Sequence, residues 1–175
     1  MRISQAIALC LMLGCYPYPN DWEARWCAEH TCGWEPMTYS SAAENAEVLV
    51  AALDILSAAT GAEFKMGEFG IPTSFESGVP EACEGKACGC TVITYRVSSM
   101  ELLSQAIHVS SDAVRCGDTV RTLAHEIMHS IVPDMELHAK DGLFAEHSSK
   151  DMRLRGESLD ILCAAMVCPA RVDEL

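Results

Sequence analysis

The stretch DTVRTLAHEIMHSI, residues 118–131, constrains this chain more than any other. Val120, Ala124, Ile127 and Ile131 recur three and four residues apart, which predicts a half-buried helix over about 118–131. Residues four apart on a helix share a face, so His125 and His129 point the same way beside the apolar stripe. Two imidazoles on one rigid face suit a single metal ion, and zinc accepts nitrogen ligands in this arrangement. Glu126 follows one position round the helix, near enough to address the ion's open side without ligating it. Zinc acidifies water, and a carboxylate beside it can take the proton as that water attacks a carbonyl. The plainer alternative is a pair of core histidines satisfied by hydrogen bonds; the adjoining glutamate favours metal.

Zinc held by two histidines alone would be weakly bound, so a third protein ligand is expected. Pro133 disfavours a helical conformation at Val132 and stops the helix there. PDMEL then forms a return loop, and the next histidine is His138, the expected third ligand. Glu157, in RGESLD, is the first alternative. Asp134, Asp141 and His147 are also close enough in sequence to swing in. His108, within AIHVS, reads as a polar-face residue of a strand, and His30, within CAEHTC, as a loop residue.

The chain begins MRISQAIALCLMLGC: Arg2, an apolar run from Ile3 to Leu13, then Gly14 and Cys15. The run is too short to span a bilayer and has the form of an export signal. Its ending, LMLGC, resembles the lipobox of bacterial lipoproteins, with Met12 and Leu13 departing from the usual residues. That resemblance implies cleavage before Cys15 and a lipid on it; an ordinary secretory signal is the alternative. Of the 10 cysteines, setting aside Cys10 and Cys15 leaves Cys27, Cys32, Cys83, Cys88, Cys90, Cys116, Cys163 and Cys168. An even number in an exported chain predicts disulfides, with connectivity open. CEGKACGC, 83–90, reads the same way, because no matched second pair follows to complete a zinc knuckle.

Acidic residues outnumber basic ones 25 to 12, for a net charge of −13. With no run of lysine or arginine, nucleic acid is excluded as a partner, and membrane contact is expected only through lipid on Cys15. The length, 175 residues, suits one domain acting as a monomer. The expected organisation is a signal peptide (1–14), a Cys/Pro-rich arm (15–40) and a domain (41–175). SAAENAEVLVAALDILSAATG predicts a helix over 42–60, with Ser41 and Glu44 at capping-box spacing and an apolar face of Val48, Ala52, Ile55 and Ala59. Gly61 stops it. Glycines, prolines and acids predict a loop over 67–87. TVITYRV (91–97) and AIHVS (106–110) predict strands, and a last helix is expected at about 157–167. This order reads as α+β.

LAHEIMHSI, 123–131, is similar to the active-site helix of zincin metalloproteases, and the order downstream resembles metzincins, within them small matrixin-like bacterial proteins. ESLDILCAAMVC, 157–168, resembles their C-terminal helix; the similarity spans roughly 105–168. The resemblance implies a zincin-like domain with a twisted sheet packed on helices, and a zinc endopeptidase acting on protein or peptide. His125, His129 and His138 would hold zinc and Glu126 would be general base and acid. It also implies an extended peptide bound by strand-edge pairing, for which 106–110 is the candidate. The family's third histidine falls six residues after the second, where this chain has Met135, and Val132 stands where a glycine ends the helix. HAKDGLFA, 138–145, resembles the family's stretch from third histidine to methionine turn after a three-residue insertion, with Phe144 in place of methionine. Met152 is a second candidate for the turn. Two other readings stay open: a glutamate zincin using Glu157, and a non-catalytic, disulfide-rich envelope binding protein. Glu126 discriminates the latter, because a structural zinc site fills four places with protein ligands and has no use for it.

Overall fold

A computed structural model describes residues 37–85, 87–96, 101–132, 138–140, 142–145, 153–166 and 168–169. The predicted leader and His30, Asp134, Asp141, His147 and Met152 lie outside these residues. In chain order the elements are β1 (Met37–Ser40), a 3-10 turn (Ala43–Asn45), α1 (Ala46–Thr60), β2 (Phe64–Met66) and β3 (Ile71–Glu76). A second 3-10 turn (Glu81–Cys83) precedes β4 (Gly89–Arg96), β5 (Glu101–Ser110), α2 (Ala113–Cys116), α3 (Thr119–Ile131) and α4 (Glu157–Ala165). The result is α+β.

The strands form one mixed sheet in the order β2-β1-β3-β5-β4. β1 pairs in parallel with β2 and β3, and β3 with β5; β4 alone is antiparallel, hairpinned onto β5. The last four residues of the predicted arm are therefore β1, inside the sheet. Two expectations are corrected here. Residues 71–76, predicted as loop, are a central strand; Pro72 obscured it, yet Pro72 faces Ser40, the last residue of β1, where a missing N–H matters least. The strand containing 106–110, expected to offer a free edge, is paired on both sides; among the described residues β4 and β2 are the edges of the sheet.

Alternation on β5 puts Gln105, Ile107 and Val109 on the buried face and Ala106 and His108 on the other. Leu49, Ala52, Leu53, Leu56 and Ala59 of α1 pack into the same core as Ile107 and Val109. Val48 and Ile55 are only partly buried, so the true apolar face of α1 is turned from the predicted one. The capping box is not formed: Ser41 Oγ donates to Ala42 O, and the chain enters α1 through the 3-10 turn with no side-chain cap. The predicted stop holds, with Gly61 at φ 70° donating its N–H to Ser57 O.

α3 begins at Asp118, whose carboxylate accepts the Arg121 N–H at 3.1 Å. It ends at Ile131, and Val132 leaves the helical region (φ −109°, ψ 88°) immediately before Pro133. From Leu123 onward it is buried nearly all round, not along one stripe. A buried polar knot fixes its depth. Ser130 Oγ donates to Ile127 O at 2.7 Å, so the Tyr39 hydroxyl 3.0 Å away must be the donor to Ser130. Gln105 Nε2 donates to Ser130 O at 3.0 Å. Tyr39 is fully buried, which pushes its phenol pKa up and keeps it a donor.

Three disulfides staple the described residues: Cys83–Cys90, Cys88–Cys116 and Cys163–Cys168. They suit an oxidising, extracytoplasmic compartment. The cysteines of CEGKACGC are thereby accounted for without metal. Among the described residues no helix is long and apolar enough to cross a membrane.

Candidate metal centre

α3 presents His125 and His129 one turn apart, and residues 138–145 bring His138 against them. His129 Nε2 lies 3.2 Å from His125 Nε2 and 3.1 Å from His138 Nε2. The three ligand nitrogens lie within 4.8 Å of one another. A ring nitrogen carries either one proton or one lone pair, so His129 Nε2 cannot satisfy both neighbours by hydrogen bonding. One cation between them can. Tetrahedral coordination with metal–nitrogen bonds of about 2.0–2.1 Å separates ligands by about 3.3 Å, close to the two short spacings found. The group could hold a metal ion.

Their protonation fits as well. His125 Nδ1 lies 2.9 Å from Leu143 O, and a carbonyl only accepts, so Nδ1 carries the proton and Nε2 keeps its lone pair. Burial lowers the pKa of His125, opposed by that bond and reinforced by His138 and Arg121. Burial lowers His129 further, to about 3, with His125 and His138 adding to it and the Val132 backbone opposing. That backbone group stays outside hydrogen-bond geometry, and His129 Nδ1 has no hydrogen-bond partner among the described residues. Both helix-borne imidazoles are thus neutral at pH 7, the form that ligates.

Phe144 floors the group. Its ring centroid lies 5.2, 4.7 and 5.3 Å from those of His125, His129 and His138, and it is fully buried. The segment holding it is tied by backbone bonds: Ala139 N–H to Phe144 O at 2.8 Å and Leu143 N–H to Arg153 O at 3.2 Å. Phe144 N–H donates to Ser158 Oγ of α4 at 3.2 Å. Gly142, at φ 79°, makes the turn that lets Leu143 and Phe144 face the helix. Glu157 is not in the group: its Oε2 accepts the Lys140 backbone N–H at 3.0 Å, so it braces the residue two beyond His138. His108, on the outer face of β5, bonds Ser74 Oγ through Nδ1 at 2.9 Å and stands apart.

Glu126 is buried, 6% exposed, on the side of α3 that faces the start of β4. Burial raises its pKa to about 7, against two hydrogen bonds from Thr91. A cation among the neighbouring histidines would draw it down again. Sequence reasoning placed Glu126 by helical geometry but missed Thr91, Leu143 O and Ser158. Each acts through a fold contact that leaves no spacing signal. Compared with protein-family models the chain matches none, and no curated protein matches it in sequence.

Proposed function

We propose that this protein is a zinc-dependent endopeptidase of zincin-like type, with His125, His129 and His138 holding the metal and Glu126 serving as general base and acid. One observation carries the reading: three imidazole nitrogens converge in a spacing that hydrogen bonds cannot satisfy, beside a buried glutamate outside the group. Three histidines with a glutamate held outside the group match the pattern of catalytic zinc, which keeps three protein ligands and leaves one position for water. Zinc held there would supply the Lewis acidity that makes water nucleophilic at neutral pH. Glu126, buried on the adjoining flank of α3, takes the proton as water attacks the peptide carbonyl and returns it to the leaving amine. Phe144 and the buried flank of α3 limit water at the histidines, which strengthens the electrostatics there. As an edge strand of the described sheet, β4 offers backbone groups to an extended peptide. The export signal and the disulfides support action outside the cytoplasm, held to a bacterial envelope by lipid on Cys15.

The test combines metal content with hydrolysis of an unfolded substrate such as casein. About one zinc per chain is expected. Glu126→Gln should keep the zinc and lose hydrolysis by roughly 10²–10⁴-fold. Zinc without hydrolysis in the wild type would favour a binding protein, and no zinc after refolding with it would end the enzyme reading.

A further inference from the structure

Glu126 can act only if its carboxylate is held, since a glutamate has three rotatable bonds and misplacement weakens proton transfer. The start of β4 holds it. Gly89 and Thr91 pair across the ladder with Val109 and Ile107, both fully buried, so the two alternate positions face α3. Thr91, 5% exposed, donates its hydroxyl to Glu126 O at 2.6 Å and lies 3.2 Å from Glu126 Oε2. Gly89 gives the strand its close approach. A Cβ there would stand 2.7 Å from Thr122 Cγ2, 2.9 Å from Glu126 Cγ and 3.1 Å from Glu126 Oε1. One carboxylate oxygen rests against the Thr91 hydroxyl, and the other lies beside the bare Cα of Gly89.

The residues flanking Gly89 are both disulfide-bonded. Cys88 is joined to Cys116, two residues before the Asp118 cap of α3, and Cys90 to Cys83. An edge strand has neighbours on one side only, so its position against a helix is the one most in need of covalent anchoring. The two bonds supply it at the residues on either side of the closest contact.

We infer that Thr91 is a positioning residue for Glu126, with Gly89 leaving the room that the carboxylate occupies. The inference rests on the peptidase reading above. Thr91 touches neither the histidines nor the reacting atoms through any contact described; it acts through Glu126.

The experiment measures kcat and KM on a quenched peptide, together with zinc content, for the full oxidised chain. Thr91→Val keeps the shape and removes the hydroxyl. It should lower kcat by about tenfold, because the hydrogen bond that holds Glu126 through its backbone carbonyl is lost along with the contact to Oε2, while zinc content and KM hold. Thr91→Ser should return kcat to within about threefold of wild type. A purely packing role would show the reverse order, because valine preserves the volume and serine does not. Gly89→Ala gives an independent arm: it should lower kcat with zinc retained, as the methyl group displaces the glutamate. An unchanged kcat in Thr91→Val with an active wild type overturns this inference and leaves the peptidase reading standing. A zinc-loaded wild type that cleaves nothing overturns both.

Discussion

His125 and His129 ride one turn apart on α3, whereas His138 stands on residues 138–145, whose regular structure is one isolated bridge between Ala139 and Ala145. The helix-borne half is fixed by its own backbone ladder, by the Asp118 cap and by the Tyr39–Ser130–Gln105 knot. Among its described residues the return half has no ladder to rely on. It is held by single bonds to Arg153 O and Ser158 Oγ, by the Glu157 brace at Lys140, and by Phe144 wedged under the rings. The difference teaches that one half of the site is formed by secondary structure and the other by tertiary contacts, chiefly with α4 and the segment leading into it. A metal binding both halves would couple them, adding stability where the return segment is weakest.

The largest effect should come from cutting either half out of the metal group. His129→Ala and His138→Ala should each weaken zinc binding by roughly several hundredfold to several thousandfold, taking about 10–16 kcal/mol shared among three ligands. Glu157→Gln should leave it within about tenfold, because that residue braces and does not ligate. Competition with a chelator measures all three. A mild His138→Ala would break the comparison, reducing the site to its helix.

Phe144→Ala should come next. Emptying a fully buried ring volume costs about 3–5 kcal/mol, whereas Phe144→Met fills most of it and should cost less than about 1.5 kcal/mol. Urea melts of the metal-free chain would show this. Equal losses would mean the ring, not the volume, supports the histidines.

Acid separates the groups on α3 from one another. Burial lowers His129 from 6.5 to about 3, so between those values the unfolded chain binds more protons and stability falls as pH drops. His125 acts in the same direction. Glu126 is raised from 4.5 to about 7, so in that window the folded chain binds more protons and stability rises as pH drops. The contributions oppose each other between 4.5 and 6.5. Metal-free Glu126→Gln should therefore lose stability on acidification more steeply than wild type, by about 1.4 kcal/mol per pH unit. Melts at pH 7, 6 and 5 test it; parallel slopes would show that Glu126 is not held proton-bound by burial.

Ser158→Ala should give the smallest change. It removes the acceptor for Phe144 N–H, at about 1–2 kcal/mol of stability, and should loosen zinc at His138 without altering α3. Hydrogen exchange confined to residues 138–145 would sharpen the contrast; uniform exchange across α3 would erase it.

The sequence by itself determined α3, its end before Pro133, the shared face of His125 and His129, and the edge of α1 at Gly61. Each follows from local rules: a 3.6-residue period, a proline's restriction on its neighbour, a glycine's freedom at positive φ. It also singled out His138, as the next histidine after a helix stopped by Pro133 and a return loop, and Phe144, by similarity in order. Only the tertiary structure decided that His138 closes on His129, that Glu157 turns to Lys140, that β3 runs through a proline and that β4 is an edge of the sheet among the described residues. Thr91 against Glu126 belongs with these, lying 35 residues away in the chain. Such contacts depend on sheet order and on the approach of one backbone to another, and no periodicity within a single segment encodes them.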